Sequence, residues 1–308
     1  MPSVVRRTAV FAGLLALTMG AAAACGSSSS GGGGGGGSSV DVESFATQSA
    51  ANLALSSGRV DVGMADSPVA AYQVAQSHGQ FKLVGQAYGT APYGIAVPKK
   101  SGTMDKAVLA ALKALMANGT YGHILSHWGI SSGGISNPVI NGATVTSIPA
   151  TPVATVTAPA LDPAAAKLVP AAIKSKGSLL VAADASYAPN EFLASNGKTV
   201  VGMDADLAKA LGTELGLKVT VQNITFDSII PGLIDGRYAL GMSSFTDTAA
   251  REKQVNFVTY FSAGTSFFVK ANGGPNIQTL ADLCGKKVAV ESGTTEESDA
   301  KAQSAKCS

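Results

Sequence analysis

Histidine is scarce in this chain, with three in 308 residues; cysteine is equally rare and tryptophan occurs once. That leaves little from which to build a metal centre or an activated nucleophile. His123 and His127 stand four apart in "HILSH", but the glutamate that follows the first histidine in metalloprotease helices is missing, and no third ligand is evident. No cysteine is placed to pair with a histidine, and neither a G-x-S-x-G elbow nor a G-x-x-x-x-G-K phosphate loop occurs. No cofactor and no metal are expected, and nothing points to an enzyme. Charge is also sparse, at 14% of residues with a net +2. Phosphate neutralisation needs clustered Lys and Arg, so a nucleic-acid partner is excluded. The chain is globular and long enough to bury a large core in one or two domains.

A long apolar run is lacking as well. The first residues, "MPSVVRRTAVFAGLLALTMGAAAAC", place Arg6 and Arg7 before about a dozen apolar residues, too few for the roughly 20 that span a bilayer as a helix. They read as an export signal over 1–24. The arginine pair also suggests a twin-arginine signal, although its surroundings fit poorly. A cysteine directly after small residues resembles the lipobox of bacterial lipoproteins, with Ala22 in place of the usual leucine. That resemblance implies lipidation of Cys25 and a chain anchored at the extracytoplasmic face of the cell membrane. A plain secreted form, with Cys25 a free thiol, is the alternative. Residues 25–39, "CGSSSSGGGGGGGSS", then form a flexible tether with a mean reach of roughly 20 Å. Export also permits a disulfide between Cys284 and Cys307, closing a loop of about 24 residues and contributing roughly 3 kcal/mol. Two buried thiols are the other reading.

A second low-complexity stretch, rich in Pro, Thr and Ala, reads as an extended connector over 143–165. Ordered sequence therefore falls into 40–142 and 166–308. The later block alternates: "SLLVAAD" strand, "DADLAKALGTELG" helix stopped by Gly216, "KVTVQNI" strand, "FDSIIPGLIDG" helix, then "YALGMSSF" and "KKVAVES" as strands. The earlier block offers "SAANLALSSG" as helix, "VDVGMA" and "YGIAVPK" as strands, and a helical hairpin or broken helix over "DKAVLAALKALMANGTYGHILSHWG". Alternation of this kind implies an α/β fold with a mainly parallel sheet. "GRVDVGMADS" and "GRYALGMSSF" repeat Gly, Arg, Gly and Met at one spacing, as two similar lobes would. Ligands bind outside the carboxyl ends of such strands, so "ADS" and "SSFTDT" are where contacts are expected.

In "SSFTDTAAREK", hydroxyls precede a short helix bearing Arg251, a combination that favours a carboxylate. The plainer reading makes Thr248 an N-cap and Arg251 a solvated surface residue. Thr294 with Glu297 in "ESGTTEES" fits a capping box beside Gly293. Asp66 could hold an ammonium, or serve only as a turn residue. Together these groups describe a site for a zwitterion such as a free amino acid. Tyr187, Phe192, Phe226 and Phe245 are candidates for its walls, or simply core.

The segments "GMDADLAKALGTELG", "FDSIIPGLIDGRY", "SSFTDTAAREKQVNFVTYF", "LCGKKVAVESGTTEE", "LSSGRVDVGMADSPVAAY" and "APYGIAVPK" resemble those of the family 3 solute-binding proteins, the polar amino-acid receptors of ABC importers. The resemblance implies a two-lobed periplasmic-binding-protein type II fold. Their order differs from the family's, because the second half comes first, so the chain is expected to be circularly permuted. Lobe 1 would hold about 176–268 with 99–140, and lobe 2 about 275–308 with 40–90, bringing the chain end close to Val40. By the same resemblance Arg251 and the Thr248 backbone clamp the ligand carboxylate, helped by Thr294. Asp66 and the Ser244 carbonyl meet the ammonium, Thr246 adds a contact, and Tyr187 and Phe192 line the lobe 1 wall. The implied protein is a monomer that delivers a polar amino acid to an importer permease. The alternatives are a small-carboxylate dehydratase, a non-transporting sensor, or a dimer that exchanges halves.

Overall fold

A computed structural model describes residues 39–153 and 155–307. The export signal, Cys25 and the tether up to residue 38 lie outside the described residues. The earlier block runs β1 (Asp41–Phe45), α1 (Gln48–Ser57), β2 (Val62–Asp66), α2 (Ser67–Gln76), a long β3 (Phe81–Pro98), α3 (Met104–Ala117) and α4 (Thr120–His127). The later block begins with α5 (Pro163–Leu168), α6 (Ala171–Lys176), β4 (Ser178–Ala183), β5 (Ser186–Tyr187), β6 (Glu191–Leu193) and β7 (Val200–Val201). It continues through α7 (Met203–Leu215), β8 (Lys218–Asn223), α8 (Phe226–Ile234), β9 (Leu240–Gly241), α9 (Ala249–Glu252), β10 (Val255–Lys270), β11 (Lys287–Glu291) and α10 (Thr295–Ser304).

Eight of the described strands form one sheet in the order β1-β11-β2-β10-β3-β9-β4-β8. At one end β1, β11 and β2 run parallel, and at the other β9, β4 and β8 do. Antiparallel β3 and β10 join the two ends, with three register shifts between Thr259 and Phe267 where they cross. The result is an α/β fold of two lobes on one continuous sheet, and its cores are separate. Lobe 1 packs α3, α4 and α7 through residues such as Leu112, Leu125, Leu207 and Leu211. Lobe 2 holds Leu55, Val69 and Phe268 on one face and Met64, Phe267 and Val290 on the other.

Local chemistry explains the elements. In α7, Met203, Leu207, Leu211 and Leu215 recur every four residues and are buried, each worth roughly 1.5–3 kcal/mol. The helix stops where Gly216 takes φ 69° and returns its N–H to Gly212 O and Thr213 O. "YALGMSSF" departs from expectation: only Leu240–Gly241 is strand, because Ser243 and Ser244 turn inward and Ser244 adopts φ 51°. The connector gives way to helix at residue 163, where Asp162 caps α5. It is pinned to the protein, Thr157 N–H to Asn118 O and Asp162 N–H to Glu214 O, at 2.8 and 2.9 Å.

Both ends of the described chain meet in lobe 2. Residues 41–45 pair in register with 287–291, Gly285 N–H donates to Ser39 O, and Ser304 Oγ donates to Val40 O at 3.0 Å. Cys284 and Cys307 are joined by a disulfide. Replacing both with serine is expected to lower unfolding stability by about 3 kcal/mol, read from urea denaturation; an unchanged midpoint would mean that packing alone holds α10.

Candidate functional site

Parallel strands of both lobes direct their carboxyl ends at one cleft. β2 ends on Asp66, β11 ends on Glu291, β4 leads into Asp184, and β9 into Ser243 and Ser244. Asp66, Tyr187, Phe226, Ser243, Ser244, Thr246, Arg251, Glu291, Thr294, Thr295 and Glu296 enclose about 270 Å³. Room for the centre of a water molecule is only about 10 Å³. A larger guest therefore enters only when the lobes part or side chains move.

Arg251 spans the cleft, which corrects the reading of it as a solvated surface residue. It sits in the single turn of α9, whose N-cap Thr248 accepts the Arg251 N–H at 3.2 Å. Its Nη1 donates to Thr246 O and its Nη2 crosses to Gly293 O, both at 2.9 Å. The guanidinium lies 5.3 Å from the Phe226 ring and 5.6 Å from that of Phe245, two rings stacked at 4.5 Å. Burial lowers its pKa, and the charges of Glu296 and Asp66 oppose that shift. Three further N–H groups remain on the guanidinium for other partners.

Asp66 is buried opposite. Tyr187 donates its hydroxyl to Asp66 Oδ2 at 2.9 Å and accepts the Asp66 N–H at 3.1 Å. Burial pushes the Asp66 carboxyl well above its ordinary value, Glu296 adds to the effect, and the Tyr187 bond opposes it. Beneath the cleft Ser243 Oγ and Ser244 Oγ donate to the two oxygens of Glu191 at 3.1 and 3.2 Å. The Ser244 N–H donates to Asp204 Oδ2 at 2.9 Å. Burial and the neighbouring Asp204 raise the Glu191 pKa well above normal, and burial pushes Asp204 up to about 6. This acid pair fixes the left-handed backbone of Ser244.

Several candidates occupy other roles. Phe192 does not line the cleft; it packs on Trp128 and Tyr72, with ring centroids 5.6 and 6.5 Å away. Strand alternation is the cause: in the β5–β6 pair Glu191 turns inward beside Tyr187, so its neighbour Phe192 faces the other side. Thr248 holds the α9 turn and is not part of the cleft wall. Thr294 lines the cleft and caps α10, accepting the Glu297 N–H at 3.2 Å. The return arm of the expected capping box is displaced, since Glu297 Oε2 accepts the N–H of Gly293 instead, at 2.8 Å. Asp247 turns away to accept the Gly142 N–H at 2.6 Å.

Two carboxyls escaped the sequence reading. Glu296 accepts the Thr265 hydroxyl at 2.7 Å and the Thr295 hydroxyl at 3.2 Å. Glu291 is 2% exposed and stands within hydrogen-bonding reach of Asp184 in the opposite lobe. Burial, then the Asp184 charge, pushes Glu291 up to about 10. An acid closing the apolar run "VAVE" was the available signal. Unfolded, Glu291 titrates near about 4.3, so above that pH the folded chain holds a proton that the unfolded chain has released. Stability therefore falls as pH rises from there towards about 10. Glu291→Gln is expected to raise stability at pH 7 by on the order of 1–3 kcal/mol, with no gain at pH 4, by urea unfolding at both values. Equal stability of the two proteins at pH 7 would contradict it.

Among the described residues no cluster of His, Cys, Asp and Glu could hold a metal ion, and no helix is long and apolar enough to cross a membrane. Residues 179–303 match the family described as bacterial extracellular solute-binding proteins, family 3. The arginine-binding extracellular protein ArtP of Bacillus subtilis is 37% identical over 127 residues, covering 41% of this chain and 48% of that protein. The histidine-binding periplasmic protein of Salmonella typhimurium is 35% identical over 127 residues, again 41% and 48%. The chain thus spans about half the length of these relatives. A solved ancestral arginine-binding protein bound to arginine is 33% identical, covers 42% of this chain and 57% of that one, and has a TM-score of 0.36.

Proposed function

We propose that the chain is an extracytoplasmic receptor that closes its two lobes on a polar amino acid and delivers it to an ABC importer. The observation that carries this reading is the pairing in one cleft of a half-buried guanidinium, Arg251, with a buried carboxyl, Asp66. A zwitterion carries the complementary pair. Because Arg251 comes from lobe 1 and Asp66 from lobe 2, a ligand bonded to both favours the closed state. The Thr246 and Gly293 carbonyls now hold the guanidinium, and a carboxylate would take over that fork with charge-assisted bonds. Thr294 and the backbone of Ser244 border the same space. Lipidation of Cys25, tethering at the membrane and a monomeric state complete the proposal.

The permuted order belongs to the proposal too. It is supported by the way β2, from the earlier block, pairs with both β10 and β11 of the matched segment. The two halves thus build one sheet. The test is isothermal titration of the purified protein against the common amino acids, with size exclusion to report its mass. Micromolar or tighter binding of one class by a monomer is expected; no binding by a folded monomer would defeat the receptor reading. A dehydratase acting on a small carboxylate has one feature in its favour, the buried Glu291, which could act as a general acid. Candidate ligands recovered chemically unchanged after prolonged incubation, by NMR, would eliminate it.

A further inference from the structure

The connector supplies nothing to the cleft lining, yet its side chains are set apart from the rest of the protein. Residues 151–153 and 155–162 belong to no helix or strand, in keeping with Pro152 and Pro159, which lack the N–H that either would use. Thr144, Thr146, Thr151, Thr155 and Thr157 are all exposed, and their hydroxyls make no hydrogen bond among the described residues. Thr146 and Thr157 are held through their carbonyls instead, which accept from Asn137 Nδ2 and Thr120 Oγ1 at 3.0 and 3.1 Å. Elsewhere the hydroxyls of Thr103, Thr120, Thr213, Thr259 and Thr265 each donate to a carbonyl or carboxylate oxygen. The backbone is fixed on either side, Ala150 N–H to Gly134 O at 2.9 Å and Thr157 N–H to Asn118 O at 2.8 Å. Between those points the N–H groups of Thr151, Val153 and Thr155 have no partner among the described residues. Apolar surface lies open here as well: Val145, Ile148, Val153, Val156 and Leu161 are 39–56% exposed. A groove of about 320 Å³ runs between the connector and α4, lined by Gly122, His123, Ser126, Thr151, Val153 and Val156.

We propose that Thr144, Thr146, Thr151, Thr155 and Thr157 are sites of O-glycosylation, modified by an extracytoplasmic transferase that draws on a lipid-phosphate-linked sugar. The inference rests on the proposed export of the chain. Exposed threonines among prolines have the composition of glycosylated stalks. The free backbone edge at 151–155 is what a transferase needs to bind the segment as an added strand. Phosphorylation fits poorly: no charged residue occurs from Ala143 to Leu161, so nothing in the segment would pair with a phosphate. In the transfer, a threonine Oγ forms a bond to the anomeric carbon of the sugar as the bond from that carbon to the phosphate oxygen breaks. The lipid phosphate leaves with the electron pair, and the hydroxyl proton passes to a base of the transferase. A sugar has both an apolar C–H face and polar hydroxyls. On Thr151 it suits the groove, where Val153 and Val156 offer the apolar wall and His123 and Ser126 the polar one. Sugars on the neighbouring threonines cover the exposed valines.

The test is mass spectrometry of the full chain purified from its own organism, intact and as peptides fragmented under conditions that preserve sugar bonds. The peptides are expected to carry whole sugar units on the connector threonines, while Thr120 and Thr259, whose hydroxyls are bonded inside the protein, stay unmodified. A variant carrying Thr144→Ala, Thr146→Ala, Thr151→Ala, Thr155→Ala and Thr157→Ala together is expected to lose the added mass and keep its ligand affinity. The peptide map of the natural chain decides the matter by itself if that variant fails to fold. An exported chain with an unmodified connector would overturn the glycosylation site and leave the receptor reading intact. Sugar confined to other residues, or a phosphate in place of sugar, would overturn it equally. A chain found only in the cytoplasm, unmodified and with residues 1–24 still attached, would remove the extracytoplasmic reading and the site with it.

Discussion

Arg251→Ala is expected to remove the proposed amino-acid binding. Truncating one side of a buried, hydrogen-bonded charge pair costs about 2–5 kcal/mol, a loss of roughly 30-fold to several thousand-fold in affinity. Here the cost includes what is left behind. Thr246 O and Gly293 O lose their donors, the Phe226 and Phe245 rings lose the cation over their faces, and the cleft keeps three carboxyls with no guanidinium among them. Arg251→Lys rescues little, because an ammonium cannot present a planar fork. Calorimetric titration gives the affinity and thermal unfolding checks that the variant is folded. Binding retained within threefold in a folded Arg251→Ala protein would show that the ligand carboxylate is held elsewhere.

The largest effect on stability is expected at Gly202. It adopts φ 120°, and a Cβ there would lie 2.3 Å from Asn190 O and 2.9 Å from Pro189 O. Those two carbonyls receive the first N–H groups of α7, Met203 to Pro189 at 3.2 Å and Asp204 to Asn190 at 2.8 Å. The obstruction is backbone, which cannot rotate aside. Gly202→Ala combines strained φ with a forced shift of the helix start, each costing about 1–3 kcal/mol, so a drop in unfolding temperature of roughly 5–15 °C follows. The same shift moves Asp204, which fixes Ser244, and weaker ligand binding accompanies the loss. An unaltered melting curve would mean that the loop at 189–190 yields cheaply.

Several helices and short strands were legible because local signals set them. Thr47 and Gly58 bracket α1, Gly216 stops α7, and "SLLVAA" and "KVAVE" are apolar runs of strand length. The two strands that unite the lobes were not. β3 begins at Phe81, well before "YGIAVPK", and its exposed, polar middle gives no periodic signal. Its length is set by β10, which it accompanies through three register shifts. At the cleft, residues named for side-chain chemistry at strand ends, Asp66, Arg251 and Thr294, do come together. Phe192 misled because apolar character cannot say which face of a short hairpin a ring occupies. Glu291 and Glu296 went unnoticed because a buried acid and a solvated one look alike in sequence; only their neighbours, 31 residues away for Glu296 and Thr265, tell them apart.

The parallel pairing of Asp41 with Lys287 joins positions 287 − 41 = 246 residues apart. At about 5–20 residues per second of synthesis, β1 waits roughly 12–50 s for the strand that completes it. β2 waits as well, since its partners β10 and β11 are also made late. Throughout that interval the nascent first block exposes unpaired strand edges and half of an unfinished core, the state in which chains stick to one another. Secretion as an extended thread, or escort by a holdase, would spare it that exposure, because folding then starts with every partner present.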